Sequence, residues 1–134
     1  MAGAGRPRRG YRFAEVVERT LPDMFPGRQV PDAEAGRYRR MAGTVGPGAA
    51  RQQLAAQATR QDRLAALRSA DCPALVLSGA RDTLCPPAFH HAIAAALPQG
   101  QLRELPDAGH LVPWQCPDAV STALRDVVTA ATAA

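Results

Sequence analysis

The sequence feature that most constrains the fold is a continuous apolar run, Ala-Leu-Val-Leu at residues 74–77, with Pro73 before it and Gly79 shortly after it. A run without polar alternation is typical of a strand that is covered on both faces, as the strands of parallel sheets are. Two parallel strands need a crossover connection, which is usually a helix. Residues 74–77 therefore predict the first strand of an α/β unit.

The segments after this strand alternate as such a unit requires. Pro86 and Pro87 mark the start of a helix that Pro98 ends. Residues 102–105 form a second, weaker strand, after which Pro117 starts a final helix. The residues expected on the buried faces of the two helices are Phe89, Ile93, Leu97, Val120, Leu124, Val127 and Val128. The order strand, helix, strand, helix predicts a parallel crossover.

Upstream of residue 72 the apolar residues recur at helical spacing. A first helix ends at Pro22, and its apolar face consists of Phe13, Val16, Val17 and Leu21. A second helix, which Asp32 is placed to cap, ends at the Gly-Pro-Gly sequence of residues 46–48. The apolar stripe of that helix consists of Tyr38, Met41, Ala42 and Val45. These patterns predict a helical layer.

The remaining segments are a further helical stretch before residue 72 and the N-terminal ten residues. Residues 49–58 are predicted to be helical again, and Asp62 is placed to cap a short turn that carries two leucines. Residues 1–10 consist of turn formers and arginines without periodicity, which predicts disorder. We therefore expect a disordered N-terminus at residues 1–10, a helical cap-like segment at 11–71 and an α/β segment at 72–134.

The composition argues against several classes of function. The 134 residues carry a net charge of +4, and all 16 basic residues are arginine. They show no zinc spacing, helix-turn-helix pattern or aromatic platform, so we expect no nucleic-acid partner. Cys72, Cys85 and Cys116 form no C-x-x-C pair, and we expect no metal and no other cofactor. No apolar stretch approaches the roughly 18 residues of a membrane span, so a cytoplasmic protein without a membrane partner is expected.

Two residues that suit acid–base chemistry follow the predicted strands. Asp82 lies just after the first strand and His110 just after the second, 28 residues further on (110 − 82). Carboxyl ends of adjacent parallel strands meet at one edge of a sheet, so we expect these side chains within hydrogen-bond reach, about 2.6–3.2 Å. A carboxylate fixes the tautomer of an imidazole, whose other nitrogen then takes a proton from a nucleophile. The pair therefore predicts two members of a catalytic triad.

The third member, a nucleophile, has no obvious counterpart. The sequence contains three serines, at Ser69, Ser78 and Ser121. None of them lies in a G-x-S-x-G sequence. Cys85 is an alternative nucleophile because it is close to Asp82, but we expect it to be a small packing residue, and Cys116 likewise. His90 and His91 have no partner at i, i+4 spacing, so we expect them to be exposed or half-buried rather than metal ligands.

The segments around the acid and the histidine resemble those of the α/β-hydrolase family. Residues 72–82, Cys-Pro-Ala-Leu-Val-Leu-Ser-Gly-Ala-Arg-Asp, resemble its strand and acid loop, and residues 105–110, Leu-Pro-Asp-Ala-Gly-His, resemble its histidine loop. The Pro-Asp pair at 117–118 resembles the start of the family's closing helix, and residues 11–71 resemble its cap. The resemblance covers residues 11–128.

This resemblance implies a mostly parallel eight-stranded sheet, with a nucleophile after the fifth strand and an oxyanion hole of backbone amides. Only the last two strands have counterparts in this sequence. We therefore expect the cap and C-terminal portion of an α/β-hydrolase fold, the product of a truncated or split gene. The resemblance implies that Asp82 is the orienting acid and His110 the general base.

The function that the resemblance implies is hydrolysis of an ester, lactone or similar small substrate through a Ser-Asp-His type triad. The isolated chain is expected to be inactive, because a lone acid–base pair has no nucleophile to activate. Its expected partner is an N-terminal half that carries the nucleophile, and without that half we expect self-association. The alternative is a non-catalytic binding or assembly module derived from a hydrolase.

Overall fold

The computed structural model describes residues 12–26 and 29–132, and the disorder predicted at residues 1–10 lies outside them. The described elements, in chain order, are α1 (Phe13–Met24), α2 (Asp32–Ala58), α3 (Leu64–Leu67), β1 (Ala74–Gly79), α4 (Pro87–Ala96), β2 (Gly100–Leu105), α5 (Val112–Gln115) and α6 (Pro117–Thr132). From β1 onward this is the predicted order of strand, helix, strand and helix, with the short helix α5 in addition.

β1 and β2 form the parallel pair that the sequence predicts. Ala74 is paired with Gly100 at the start of the ladder, and Gly79 with Leu105 at its end. The two strands are therefore in step along their whole length, and their carboxyl ends lie at the same edge of the sheet. α4 connects the strands and contacts both of them. This arrangement brings the loop after β1 next to the loop after β2.

The expectation that the first strand is covered on both faces is wrong for the part of the chain that the structure describes. Leu75, Val76 and Leu77 are only half-buried, and the buried residues of β1 are Ser78 and Gly79. Among the described residues β1 has one neighbouring strand, β2. The other edge of β1 therefore stays open, and the apolar side chains beside it lack cover.

The apolar faces predicted on α4 and α6 are partly correct. Half-buried positions are Ile93, Leu97, Val120 and Val127. Exposed positions are Phe89, Leu124 and Val128. Ala123, which the pattern did not single out, is the buried residue of α6. Helical spacing identifies an apolar face, but the neighbouring elements decide how much of it is covered; α6 contacts β1 and α5, and these reach only part of its face.

Details of the helical layer also differ from the prediction. Pro22 lies inside α1, which continues for only two residues after it, to Met24. A proline here removes one backbone hydrogen bond of the helix, and the helix ends shortly after it. Asp32 is the first helical residue of α2, and the cap position before it is Pro31, without a side-chain hydrogen bond. The residues predicted to be buried that are instead exposed are Val16, Met41 and Val45.

Two predicted boundaries in this layer are confirmed. α2 is interrupted at Gly46, whose φ of 73° lies in the left-handed region that favours glycine, and helical structure resumes after it. The Asp62 carboxylate accepts a hydrogen bond from the backbone N–H of Leu64 at 2.8 Å, where α3 begins. Neither the 27-residue α2 nor any other helix of the described residues is both long and apolar enough to cross a membrane.

The main apolar core joins the helical layer to the segment after β2. Its buried members are Val17, Leu21, Phe25, Ala35 and Tyr38. Leu111 and Trp114 pack against this cluster from the far end of the chain. The ring centroids of Phe25 and Trp114 are 6.4 Å apart, and the Arg37 guanidinium lies 4.1 Å above the Trp114 ring. The helical layer thus packs directly beside His110.

Candidate active site

Backbone hydrogen bonds hold the loop after β1 against the loop after β2. The N–H of Ala80 donates to the carbonyl of Leu105 at 2.9 Å. The next N–H, that of Arg81, donates to the carbonyl of Ala108 at 3.0 Å. Because the two strands are in step, these bonds extend the contact beyond the end of the ladder. These bonds therefore fix the distance between the two loops just before the residues Asp82 and His110.

Asp82 is held in place by the turn that follows it. Its Oδ1 atom accepts hydrogen bonds from the backbone N–H groups of Leu84 at 3.0 Å and Cys85 at 2.9 Å. Such a side-chain-to-backbone turn is a common role for aspartate. Asp82 is only 6% exposed, and a buried carboxylate needs hydrogen-bond partners of this kind. The turn therefore fixes both the position and the orientation of the carboxylate.

His110 completes a hydrogen-bonded pair with this carboxylate. Its Nδ1 atom lies 3.0 Å from Oδ2 and 3.2 Å from Oδ1 of Asp82. The predicted hydrogen-bond reach between these two side chains is thus confirmed. Because a carboxylate only accepts hydrogen bonds, a neutral imidazole in this position carries its proton on Nδ1 and leaves Nε2 as an acceptor. The His110 side chain is 32% exposed, so the ring is partly accessible.

The backbone on either side of His110 is supported from two directions. The N–H of Gly109 donates to Oε1 of Gln115 at 2.7 Å. The N–H of Leu111 donates to the carbonyl of Met24, at the end of α1, at 3.4 Å. No motif in the sequence singles out Gln115, which was not among the predicted site residues; the only signal is that it closely follows the histidine. Helices α1 and α5 therefore position the imidazole together.

An open cavity of about 390 Å³ lies beside the pair. Its apolar wall comes from β1 and α6, through Leu75, Leu77, Val120, Leu124 and Val127. Asp82, His110 and Ser78 contribute polar atoms. Ser78 is buried within β1, and its hydroxyl has no hydrogen-bond partner among the described residues. A concave, mostly apolar surface with a few polar groups is typical of a site for small molecules.

The other candidate residues lie at different distances from the pair. The Cys85 sulfur, one carboxylate oxygen of Asp82 and one ring nitrogen of His110 lie within 4.8 Å of one another. Cys85 thus lies close to the histidine, because the turn after Asp82 folds back toward the neighbouring loop. Its expected role as a small packing residue did not predict this closeness. His90 is half-buried and lines the same cavity, whereas His91 is exposed on α4. Both histidines have the burial that the sequence predicts.

Comparison with known proteins gives consistent matches. The profile of the "Alpha/beta hydrolase family" matches residues 1–123. "Putative non-heme bromoperoxidase BpoC" of Mycobacterium tuberculosis is 42% identical over 67 residues, which are 50% of this chain and 26% of BpoC. "Putative carbamate hydrolase RutD" of Klebsiella pneumoniae subsp. pneumoniae is 36% identical over 77 residues, which are 51% of this chain and 29% of RutD.

Solved structures resemble the chain over most of its length. The crystal structure of M. tuberculosis BpoC has a TM-score of 0.71 and 29% identity, and the match covers 90% of this chain and 46% of BpoC. A serine hydrolase involved in carbazole degradation, CarC, has a TM-score of 0.64 at 18% identity, which shows the fold alone. The chain spans about half the length of these solved relatives. Since the family profile matches most of its residues, the chain belongs to the alpha/beta hydrolase family.

Proposed function

We propose that this chain supplies the acid and the general base of a hydrolase triad whose nucleophile lies on a segment other than this chain. In this proposal Asp82 orients His110, and His110 activates the nucleophile. The observation that carries it is the 3.0 Å contact between Nδ1 of His110 and Oδ2 of Asp82. Membership of the α/β-hydrolase family supports the same assignment.

The tautomer of His110, with its proton on Nδ1, fixes the order of the proton transfers. Nε2 of His110 takes the proton of a nucleophile hydroxyl as its oxygen bonds to the carbonyl carbon of the substrate. The Asp82 carboxylate, hydrogen-bonded to Nδ1, stabilises the resulting imidazolium. Nε2 then returns the proton to the leaving oxygen as the bond between carbonyl carbon and leaving oxygen breaks. Water repeats the sequence on the acyl intermediate, so His110 is first a base and then an acid in each half-reaction.

The proposed substrate is an ester, a lactone or a similar small carbonyl compound. The mostly apolar wall of the cavity suits a small uncharged substrate better than a highly charged one. The name of the Klebsiella relative refers to a carbamate, whose carbonyl is attacked in the same way, and this supports the reaction class. The serines of this chain are unsuited as nucleophiles, because Ser78 is buried in β1, Ser69 is exposed in the turn after α3 and Ser121 is exposed on α6.

The proposal is tested by fusing this chain to an amino-terminal segment that carries the nucleophile and measuring ester hydrolysis. The joined protein consists of the amino-terminal part of an α/β-hydrolase, chosen because that part carries a G-x-S-x-G sequence, followed by this chain. We expect it to hydrolyse p-nitrophenyl acetate, while this chain alone does not exceed the buffer blank. His110→Ala is expected to lower kcat about 10²–10⁴-fold, because general acid–base catalysis contributes that much. Asp82→Asn is expected to lower kcat without abolishing substrate binding.

His91→Ala is the matched control, because this histidine is exposed on α4. We expect the control to keep the turnover of the joined protein. Circular dichroism and thermal unfolding establish that each variant is folded. A folded joined protein whose turnover survives His110→Ala, or one that has no turnover at all, would contradict the triad proposal. The second of these outcomes would favour the non-catalytic binding or assembly module.

A further inference from the structure

We propose that Asp82, Cys85 and His110 form a binding site for Zn²⁺. A carboxylate oxygen, a thiol sulfur and an imidazole nitrogen from these residues lie within 4.8 Å of one another. These are the three donor types that hold Zn²⁺ in proteins. In a tetrahedral site with bonds of about 2.0–2.3 Å, the ligand atoms are about 3.3–3.6 Å apart. Side-chain movements of about 1 Å are therefore enough to close the three donors around an ion.

Two of the three donors are held together by one turn. Oδ1 of Asp82 accepts the N–H groups of Leu84 and Cys85, which fixes the backbone that carries the Cys85 thiol. Oδ2 has only the His110 ring as a hydrogen-bond partner in the described part of the chain. A carboxylate oxygen has two lone-pair positions, so Oδ2 keeps capacity for a metal ion. The turn therefore holds one oxygen while it leaves the other available.

The donor set favours zinc over the alkaline-earth cations. A thiolate and an imidazole prefer Zn²⁺, whereas Mg²⁺ and Ca²⁺ need several oxygen ligands and this group offers one carboxylate. Binding forms a zinc–sulfur bond and releases the thiol proton of Cys85 to solvent. Where zinc binds through Nδ1 of His110, the ring proton moves to Nε2, and the bond to zinc replaces the hydrogen bond to Asp82. A water molecule completes four-coordination, as is usual where three protein ligands meet zinc.

A second imidazole lies near this group. Nδ1 of His90 is buried without a hydrogen-bond partner among the described residues, and His90 lines the same cavity as the three donors. Zinc would also occupy the imidazole that the proposed triad uses as its base. The site does not rest on that proposal, because it needs only the side-chain geometry. If the triad proposal also holds, the zinc site predicts that Zn²⁺ inhibits the hydrolase once the nucleophile is supplied.

The experiment uses the full chain with the other two thiols removed by Cys72→Ser and Cys116→Ser, since neither belongs to the group. Co²⁺ serves as a spectroscopic substitute for zinc. We expect one Co²⁺ per chain, with a near-ultraviolet thiolate-to-metal absorption band that Zn²⁺ abolishes by displacement and Mg²⁺ does not. Cys85→Ser is expected to remove the band. His110→Ala is expected to weaken binding by more than about tenfold.

His91→Ala is the control and is expected to leave Co²⁺ affinity unchanged. A thermal unfolding midpoint that Zn²⁺ raises in the starting chain but not in Cys85→Ser gives an independent measure. Cys85→Ala replaces Cys85→Ser if the serine variant is unfolded. Absence of the band, or a band that persists without Cys85 or keeps its affinity in His110→Ala, would overturn the site. Metal binding together with an inactive joined protein would overturn only the triad proposal.

Discussion

Gly79, the last residue of β1, lies directly against the backbone of Ala108 in the loop that precedes His110. A Cβ atom at Gly79 would overlap the carbonyl oxygens of Ala108 and Gly109. Glycine is therefore required here by the close approach of two backbones. This approach sets the distance between the loop that carries Asp82 and the loop that carries the histidine.

Replacing Gly79 tests how strictly this distance is set. Gly79→Ala is expected to push the two loops apart and to lower the free energy of unfolding by about 1–3 kcal/mol, the usual cost of overpacking. Urea unfolding followed by Trp114 fluorescence measures the effect, because this single tryptophan lies in α5 next to the histidine loop. In the joined protein, the same change is expected to reduce turnover.

Gly43→Ala is the matched control for this substitution. Apart from its chain neighbours and the backbone of its own helix, no atom of the described residues lies within 4 Å of a Cβ built at Gly43, which is in the middle of α2. Alanine is a better helix former than glycine by about 0.5–1 kcal/mol, so the control is expected to stabilise the protein slightly. Equal stability of the two variants would contradict the proposed role of Gly79.

Phe25 is expected to be the largest single contributor to the helical core. Its side chain is 1% exposed and packs against Trp114. Phe25→Ala is expected to destabilise the protein by about 3–5 kcal/mol, through lost burial and the cavity that remains. Phe89→Ala is the matched control, because Phe89 is 60% exposed, and its effect is expected to stay within about 0.5 kcal/mol. Denaturant midpoints from far-ultraviolet circular dichroism compare the two; similar midpoints would contradict this core assignment.

The ion pair between α1 and α2 predicts a dependence of stability on pH. Two hydrogen bonds from Arg39, at 2.6 and 2.7 Å, hold the pKa of the Glu18 carboxyl below its ordinary value of 4.5. A carboxyl whose pKa is lowered by folding stabilises the protein above its unfolded pKa, and this contribution is lost as pH falls through the folded value. We therefore expect stability to decrease below about pH 4.5, in part through this pair.

Glu18→Gln and Arg39→Gln isolate the contribution of this pair. Both variants are expected to have a smaller decrease in thermal unfolding midpoint between neutral and acid pH than the unchanged protein. The difference is expected to be small and to shrink further in high salt, because both side chains are exposed. Variants with the same pH profile as the unchanged protein would contradict the assignment.

The open edge of β1 and the apolar residues near it predict self-association. We expect the isolated chain to form oligomers or to be partly folded, and the joined protein to be a single species in sedimentation velocity. Leu124, which is 63% exposed and lines the cavity, is expected to contribute. Leu124→Gln should reduce association. Leu54→Gln is the control, because Leu54 is equally exposed, at 62%, but lies on α2. A compact, cooperatively melting monomer would contradict the prediction.

The sequence by itself determined most of the strands and helices, although not the short helix α5, and the positions of two candidate site residues after the strands. These predictions rest on local features of the sequence: the apolar run at 74–77, the prolines at the starts of α4 and α6, and the glycine at 46. Asp82 and His110 follow from the same logic, because each comes directly after a parallel strand. The sequence therefore predicts that these two side chains lie within hydrogen-bond reach, and their contact is 3.0 Å.

Only the tertiary structure decided which apolar side chains are buried and what surrounds the acid–base pair. Phe89 and Leu124 satisfy helical periodicity but are exposed, because no described element covers them. The bond from Gly109 to Gln115 and the approach of Cys85 to His110 depend on how loops fold over one another. Periodicity reports the direction in which a side chain points, whereas burial and site geometry depend on atoms contributed by residues far away in the chain.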